Sequence, residues 1–92
     1  MSTTIKLSES QVRKMQHSLG MDNKKPKRGK YEAYRNYYNT SIEDQELENL
    51  ITLGLASKRV GTGTYPGIWY HITETGMAYL GKIMNLKITE LD

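Results

Sequence analysis

The residues of this chain best suited to chemistry are cations gathered in one short stretch. Lys24, Lys25, Lys27, Arg28 and Lys30 follow closely on one another, interrupted by Pro26 and Gly29. Ammonium and guanidinium groups clustered in this way attract phosphate oxygens without reading a base sequence. Lys58 and Arg59 form a second basic pair. Tyr65 stands between Gly63 and Gly67, where its ring can enter a groove or stack on a base. The opposite charge collects in Glu43, Asp44, Glu46 and Glu48, with no Lys or Arg from 43 to 53. Carboxylates repel phosphate, so a helix carrying them reads as a solvated face or as a docking surface for another protein. Arg35 and Asn36 suit phosphate and adenine contacts. A structural use fits them better, with Arg35 bridging to the acidic helix and Asn36 closing a turn.

Catalytic and metal chemistry find little to work with. Cys is absent, which removes thiolate ligands, disulfides and a Cys nucleophile. His17 and His71 lie far apart with no carboxylate pattern between them, so no metal site is expected. Gly61-x-Gly63 lacks the third Gly and the strand-to-helix setting of a phosphate-binding loop. The expectation is a non-enzymatic protein with no catalytic residues and no cofactor.

The elements that must position these groups can be read from caps and periods. Ser8 with Gln11 spells a capping box, Leu7 and Val12 have the spacing of a hydrophobic staple, and Val12, Met15 and Leu19 form one stripe. A helix is predicted over 9–19, ended by Gly20. After the basic loop, Tyr31, Tyr34, Tyr37 and Tyr38 recur at helical spacing and predict a short helix. Thr40 with Glu43, or Ser41 with Asp44, then caps a helix whose buried stripe is Leu47, Leu50 and Ile51, ending at Gly54. The runs 56–60 and 68–72 predict a hairpin with a Gly- and Pro-rich tip, and Trp69 in its second strand reads as core. Thr73 caps a last helix over 74–84, with Gly76 placed to let helix and hairpin approach closely. Residues 1–6 and 86–92 are expected either to be flexible or to pair as short strands, Ile5–Leu7 with the tail.

At 92 residues and 10.6 kDa the chain suits one domain, 1–92, with little room for an enclosed cavity. Hydrophobic residues make up 37%, Phe is absent, and seven Tyr and one Trp supply the bulk. No apolar run is long enough to span a membrane, and the first thirty residues lack a signal-peptide pattern, so a cytoplasmic protein is expected.

Helix, basic loop, short helix, capped helix, hairpin, helix is the element order of a winged helix. The run Leu47, Leu50, Gly54-Leu55, then the hairpin, then Tyr70-His71-Ile72-Thr73-Glu74-Thr75-Gly76 and Leu80 resembles the pre-wing helix, wing and following helix of winged-helix regulators. A second resemblance, over about residues 7–80, is to small phage and prophage proteins. It rests on His17-Ser18-Leu19-Gly20, Tyr34-Arg35-Asn36-Tyr37-Tyr38 and Thr73-Glu74-Thr75-Gly76. These resemblances imply an α+β, winged-helix-like fold with three to four helices and one hairpin wing, and a phage origin; they carry no activity over. The leading expectation is a DNA-binding accessory or regulatory factor in a bacterial host cell. It would contact phosphates of double-stranded DNA through Lys24, Lys25, Lys27, Arg28, Lys30, Lys58, Arg59 and Tyr65. The alternative is an adaptor or inhibitor of a host or phage protein that docks through Glu43, Asp44, Glu46 and Glu48. Homodimerisation through the final helix and tail is a third expectation.

Overall fold

The computed structural model describes residues 6–21 and 24–90. Its first helix begins where the sequence caps one: Ser8 Oγ accepts from the Gln11 N–H and the Gln11 side chain accepts from the Ser8 N–H, each at 3.0 Å. Helix α1 spans Glu9–Ser18. Met15 and, just beyond the helix, Leu19 are fully buried, and Gly20 leaves it at a left-handed φ of 82°.

The helix expected over 31–38 does not form. The chain instead lays down two strands, β1 (Lys30–Ala33) and β2 (Tyr38–Thr40). Period decides the matter. Tyr31 and Ala33 are buried while Lys30 and Glu32 are exposed, the alternation of a strand with one covered face. Tyr34 and Tyr37, which share a helical stripe with Tyr31, are 43% and 44% exposed. Tyr also fits a pleated surface better than a helix.

Helix α2 (Gln45–Thr52) is capped by Asp44, neither Thr40 nor Ser41. The Asp44 carboxylate takes both the Glu46 and Leu47 N–H groups, at 3.0 and 3.1 Å, which a hydroxyl farther from the helix cannot do. Strands β3 (Ala56–Gly61) and β4 (Gly67–Ile72) form the expected hairpin, in register from Ala56↔Ile72 to Gly61↔Gly67. β2 adds to the other edge of β4, giving the antiparallel order β2-β4-β3.

Helix α3 (Glu74–Met84) starts on the Thr73 cap as the sequence expects. At Gly76 a side chain would overlap the Leu55 carbonyl oxygen and press on Ile72 Cγ2, so helix and hairpin meet here as closely as backbones allow. The last strand, β5 (Lys87–Glu90), pairs in parallel with β1, and Lys6 and Leu7 form no strand. Tyr31 and Ile88 stand side by side in that register, and this apolar pair favours β1 as the partner. Residues 1–5, 91 and 92, on which part of the tail expectation fell, lie outside the described residues.

Among the described residues the result is an α+β arrangement of three helices and five strands in two small sheets. Its core gathers Leu47, Leu50, Leu55, Tyr70, Ile72, Met77 and Leu80 around Met15 and Leu19. No helix among the described residues is long and apolar enough to cross a membrane.

Candidate nucleic-acid interface

The basic segment is more ordered than its composition implies. Lys27 and Lys30 exchange two backbone hydrogen bonds of 2.9 Å, closing a two-residue hairpin. Its central residues, Arg28 at φ 50° and Gly29 at φ 71°, both occupy left-handed backbone, as a type I′ turn demands. Gly suits that conformation, whereas Arg holds it at a cost of about 1–2 kcal/mol. The turn thus places an exposed guanidinium at its apex.

Below this turn, the outward face of the β1–β5 pair forms the floor of an open cleft of about 510 Å3. Lys30 and Lys87 are register partners there, as are Glu32 and Thr89. Lys24, Lys25 and Lys27 add three more ammonium groups from the loop. Lys24 Nζ is steered by the Glu32 carbonyl at 2.8 Å and lies 5.6 Å from the Tyr31 ring centroid. Among the described residues, Glu32 is the single carboxylate lining this cleft. Lys87 was missed by sequence reasoning; the weak alternation of 87–90 hinted at a strand but not at its partner.

The second basic pair is split by the strand it sits on, because neighbours in a strand point to opposite faces. Lys58 turns toward α2, where Glu48 and Glu43 hold its ammonium at 2.8 and 3.2 Å. Those two hydrogen-bonded carboxylates raise the Lys58 pKa. Glu48 also accepts from the Tyr70 hydroxyl at 2.6 Å, and that hydroxyl in turn accepts from the Asp44 N–H at 3.1 Å. Lys58, and then Tyr70, lower the Glu48 pKa. Burial first, and the Glu48 bond second, raise that of Tyr70. Lys58 is therefore engaged in fastening β3 to α2.

Asp44 and Glu46 are also engaged. Lys14 bridges them at 2.6 and 2.9 Å, and Ser8 and Ser10 donate to Glu46 at 2.9 and 2.6 Å. Burial pushes the Lys14 pKa down, but its two carboxylate partners together raise it. Hydrogen bonds from Ser10, Lys14 and Ser8 hold the Glu46 carboxyl down from 4.5 to about 2. A depressed carboxylate stabilises fully above its unfolded value and loses that contribution as pH falls through its folded value. Thermal melts are therefore expected to fall between pH 4.5 and pH 2, with a smaller fall in Glu46→Gln than in the wild type.

Arg59 points the other way, onto the outer face of the three-stranded sheet, beside Trp69 in the register. Trp69, expected in the core, is only partly buried there. Its Nε1 donates to the Tyr65 carbonyl at 3.3 Å, and its ring meets Tyr37 at a centroid distance of 5.4 Å. Tyr65 is 69% exposed at the hairpin tip. Arg35 donates Nε and Nη2 to the His17 carbonyl at 3.2 and 2.7 Å, and Asn36 exchanges hydrogen bonds with the Ile72 backbone at 2.8 and 2.7 Å. Both thereby tie segment 34–37 to its neighbours. His71 Nδ1 lies 2.7 Å from the Asn36 carbonyl, and His17 meets the edge of Tyr38.

The structure thus brings the loop lysines together with Lys87, places Arg28 at the adjoining apex, and puts Lys58, Arg59 and Tyr65 on the other sheet. No protein-family model, curated protein or solved structure matches this chain.

Proposed function

We propose that this is a non-enzymatic, phage-derived, winged-helix-like protein that binds double-stranded DNA as an accessory or regulatory factor. Its phosphate grip is the cleft between the Lys27–Lys30 turn and the β1–β5 pair. One observation carries the reading: Lys24, Lys25, Lys27, Lys30 and Lys87 line one open cleft with Glu32 as its lone carboxylate among the described residues. A groove of that charge suits a polyanion and offers few directed groups for reading bases. The winged-helix likeness is supported by the hairpin, by α2 immediately before it and by β2 on the far edge of β4. The adaptor reading has weaker support, because Glu43, Asp44, Glu46 and Glu48 already hold Lys14 and Lys58.

A salt titration of duplex binding tests the proposal. If five cleft lysines and Arg28 meet phosphates, the slope of log K against log salt approaches about −5. A flat dependence, or no binding at low salt, overturns it.

The strained turn gives a second check. Arg28→Asn creates the Asn-Gly pair that a type I′ turn prefers. Stability is expected to rise by about 1 kcal/mol, since Asn tolerates left-handed backbone better than Arg, while duplex affinity falls and the salt slope shrinks by about 0.9. Denaturant melts and binding isotherms on the same preparation measure both.

A further inference from the structure

The outer face of the β2-β4-β3 sheet carries a second, differently built surface. Asn39, Trp69 and Arg59 lie in one row across the three strands, and Ser57 and His71 flank them. No carboxylate belongs to this face on any of the three strands. Its centre is a pair of aromatic rings, Tyr37 and Trp69, tilted 56° to each other.

Two features hold the indole in place. Its N–H is anchored to the Tyr65 carbonyl, and Gly61 leaves the room that this anchor needs: a side chain there would overlap the Tyr65 oxygen and crowd Trp69 Nε1. The Tyr37 backbone is held by its N–H, which donates to the Ser18 carbonyl at 3.0 Å, and the Arg35 guanidinium lies 5.9 Å from the Tyr37 ring centroid. Fixed, half-open rings beside an exposed guanidinium and an exposed amide match unpaired nucleotides. A base stacks on an aromatic face, a phosphate pairs with the cation, and base identity matters little. Paired bases cannot use such a platform, because their faces are already covered in the duplex.

We infer that the Tyr37–Trp69 face, with Arg59 and Asn39, is a stacking site for the unpaired bases of single-stranded DNA. The choice of DNA rests on the proposed function; the stacking site itself rests on a different sheet and different residues. Together they describe a protein suited to DNA that carries duplex and unpaired segments side by side.

Trp69 is the one tryptophan in the chain, so its fluorescence reports the site directly. The full chain is titrated with oligothymidylate and with an abasic oligomer of equal length and phosphate number. Thymidylate is expected to quench Trp69 and to bind roughly tenfold more tightly, or better, than the abasic strand. Tyr37→Ala, followed with end-labelled oligomers, is expected to erase that preference while leaving duplex binding in place, and Arg59→Ala to weaken both oligomers alike. Equal affinity for the two oligomers overturns the inference. Tighter binding of oligouridylate than of oligothymidylate overturns the assignment to DNA. The two sites fail separately: thymidylate quenching with no duplex binding removes the lysine cleft alone, and salt-dependent duplex binding with no base preference removes the stacking face alone.

Discussion

Replacing Lys24, Lys27 and Lys30 together with Glu is expected to abolish measurable duplex binding at moderate salt. Each lost phosphate contact removes about 0.9 from the salt slope, so three remove about 2.7. At 0.1 M salt the same relation costs affinity roughly 10²- to 10³-fold, before any repulsion from the new carboxylates. Folding should survive, because all three side chains are exposed and the turn is closed by backbone groups. Surface changes of this kind usually move stability by less than about 0.5 kcal/mol each. Electrophoretic mobility and a melting curve on the same variant separate the two effects. Retained binding with an unchanged slope would show that the cleft is not the phosphate grip.

The largest stability effect is expected at a residue far from any ligand. Gly76→Ala gains up to about 1 kcal/mol of helix propensity, and on that count alone it should stabilise α3. The packing reverses the sign. The new methyl would collide with the backbone carbonyl of Leu55, a residue buried in the core, whose oxygen accepts from the Thr73 N–H at 3.1 Å. A backbone cannot rotate away as a side chain can, so α3 must slide off the hairpin. Overpacking of this kind costs about 1–3 kcal/mol, and in a domain of this size each kcal/mol lowers the melting midpoint by roughly 4–8 °C. A midpoint that stays the same or rises in calorimetry would show that helix and hairpin do not meet at this residue.

Elements set by local chemistry were legible in the sequence. Ser8, Gln11 and Thr73 mark helix starts through bonds made within three residues, and the hairpin announces itself by its glycines. The errors arose where partners are distant. Tyr31 to Tyr38 carry a helical spacing, and only the pairing of β1 with β5 and of β2 with β4 makes them strands. The cap of α2 went to Asp44, whose carboxylate reaches two helix N–H groups with one oxygen, while the other holds Lys14, 30 residues away in the chain and out of reach of any local pattern. The candidate site shows the same division. The loop cations are visible as a run of letters, whereas Lys87 joins them only through a parallel pairing. Lys58 looks equivalent to Arg59 until the strand turns one toward two carboxylates and the other toward Trp69.

The register that sets Lys30 beside Lys87 has a mechanical consequence. Two ammonium groups abreast repel each other across the pair, against the backbone ladder and Ile88, the one partly buried residue of β5. If the cleft is the phosphate grip, a polyanion seated between the two lysines would cancel that push and clamp the strand that forms half of its own seat. On the proposed reading, occupancy and closure of this edge would rise and fall together.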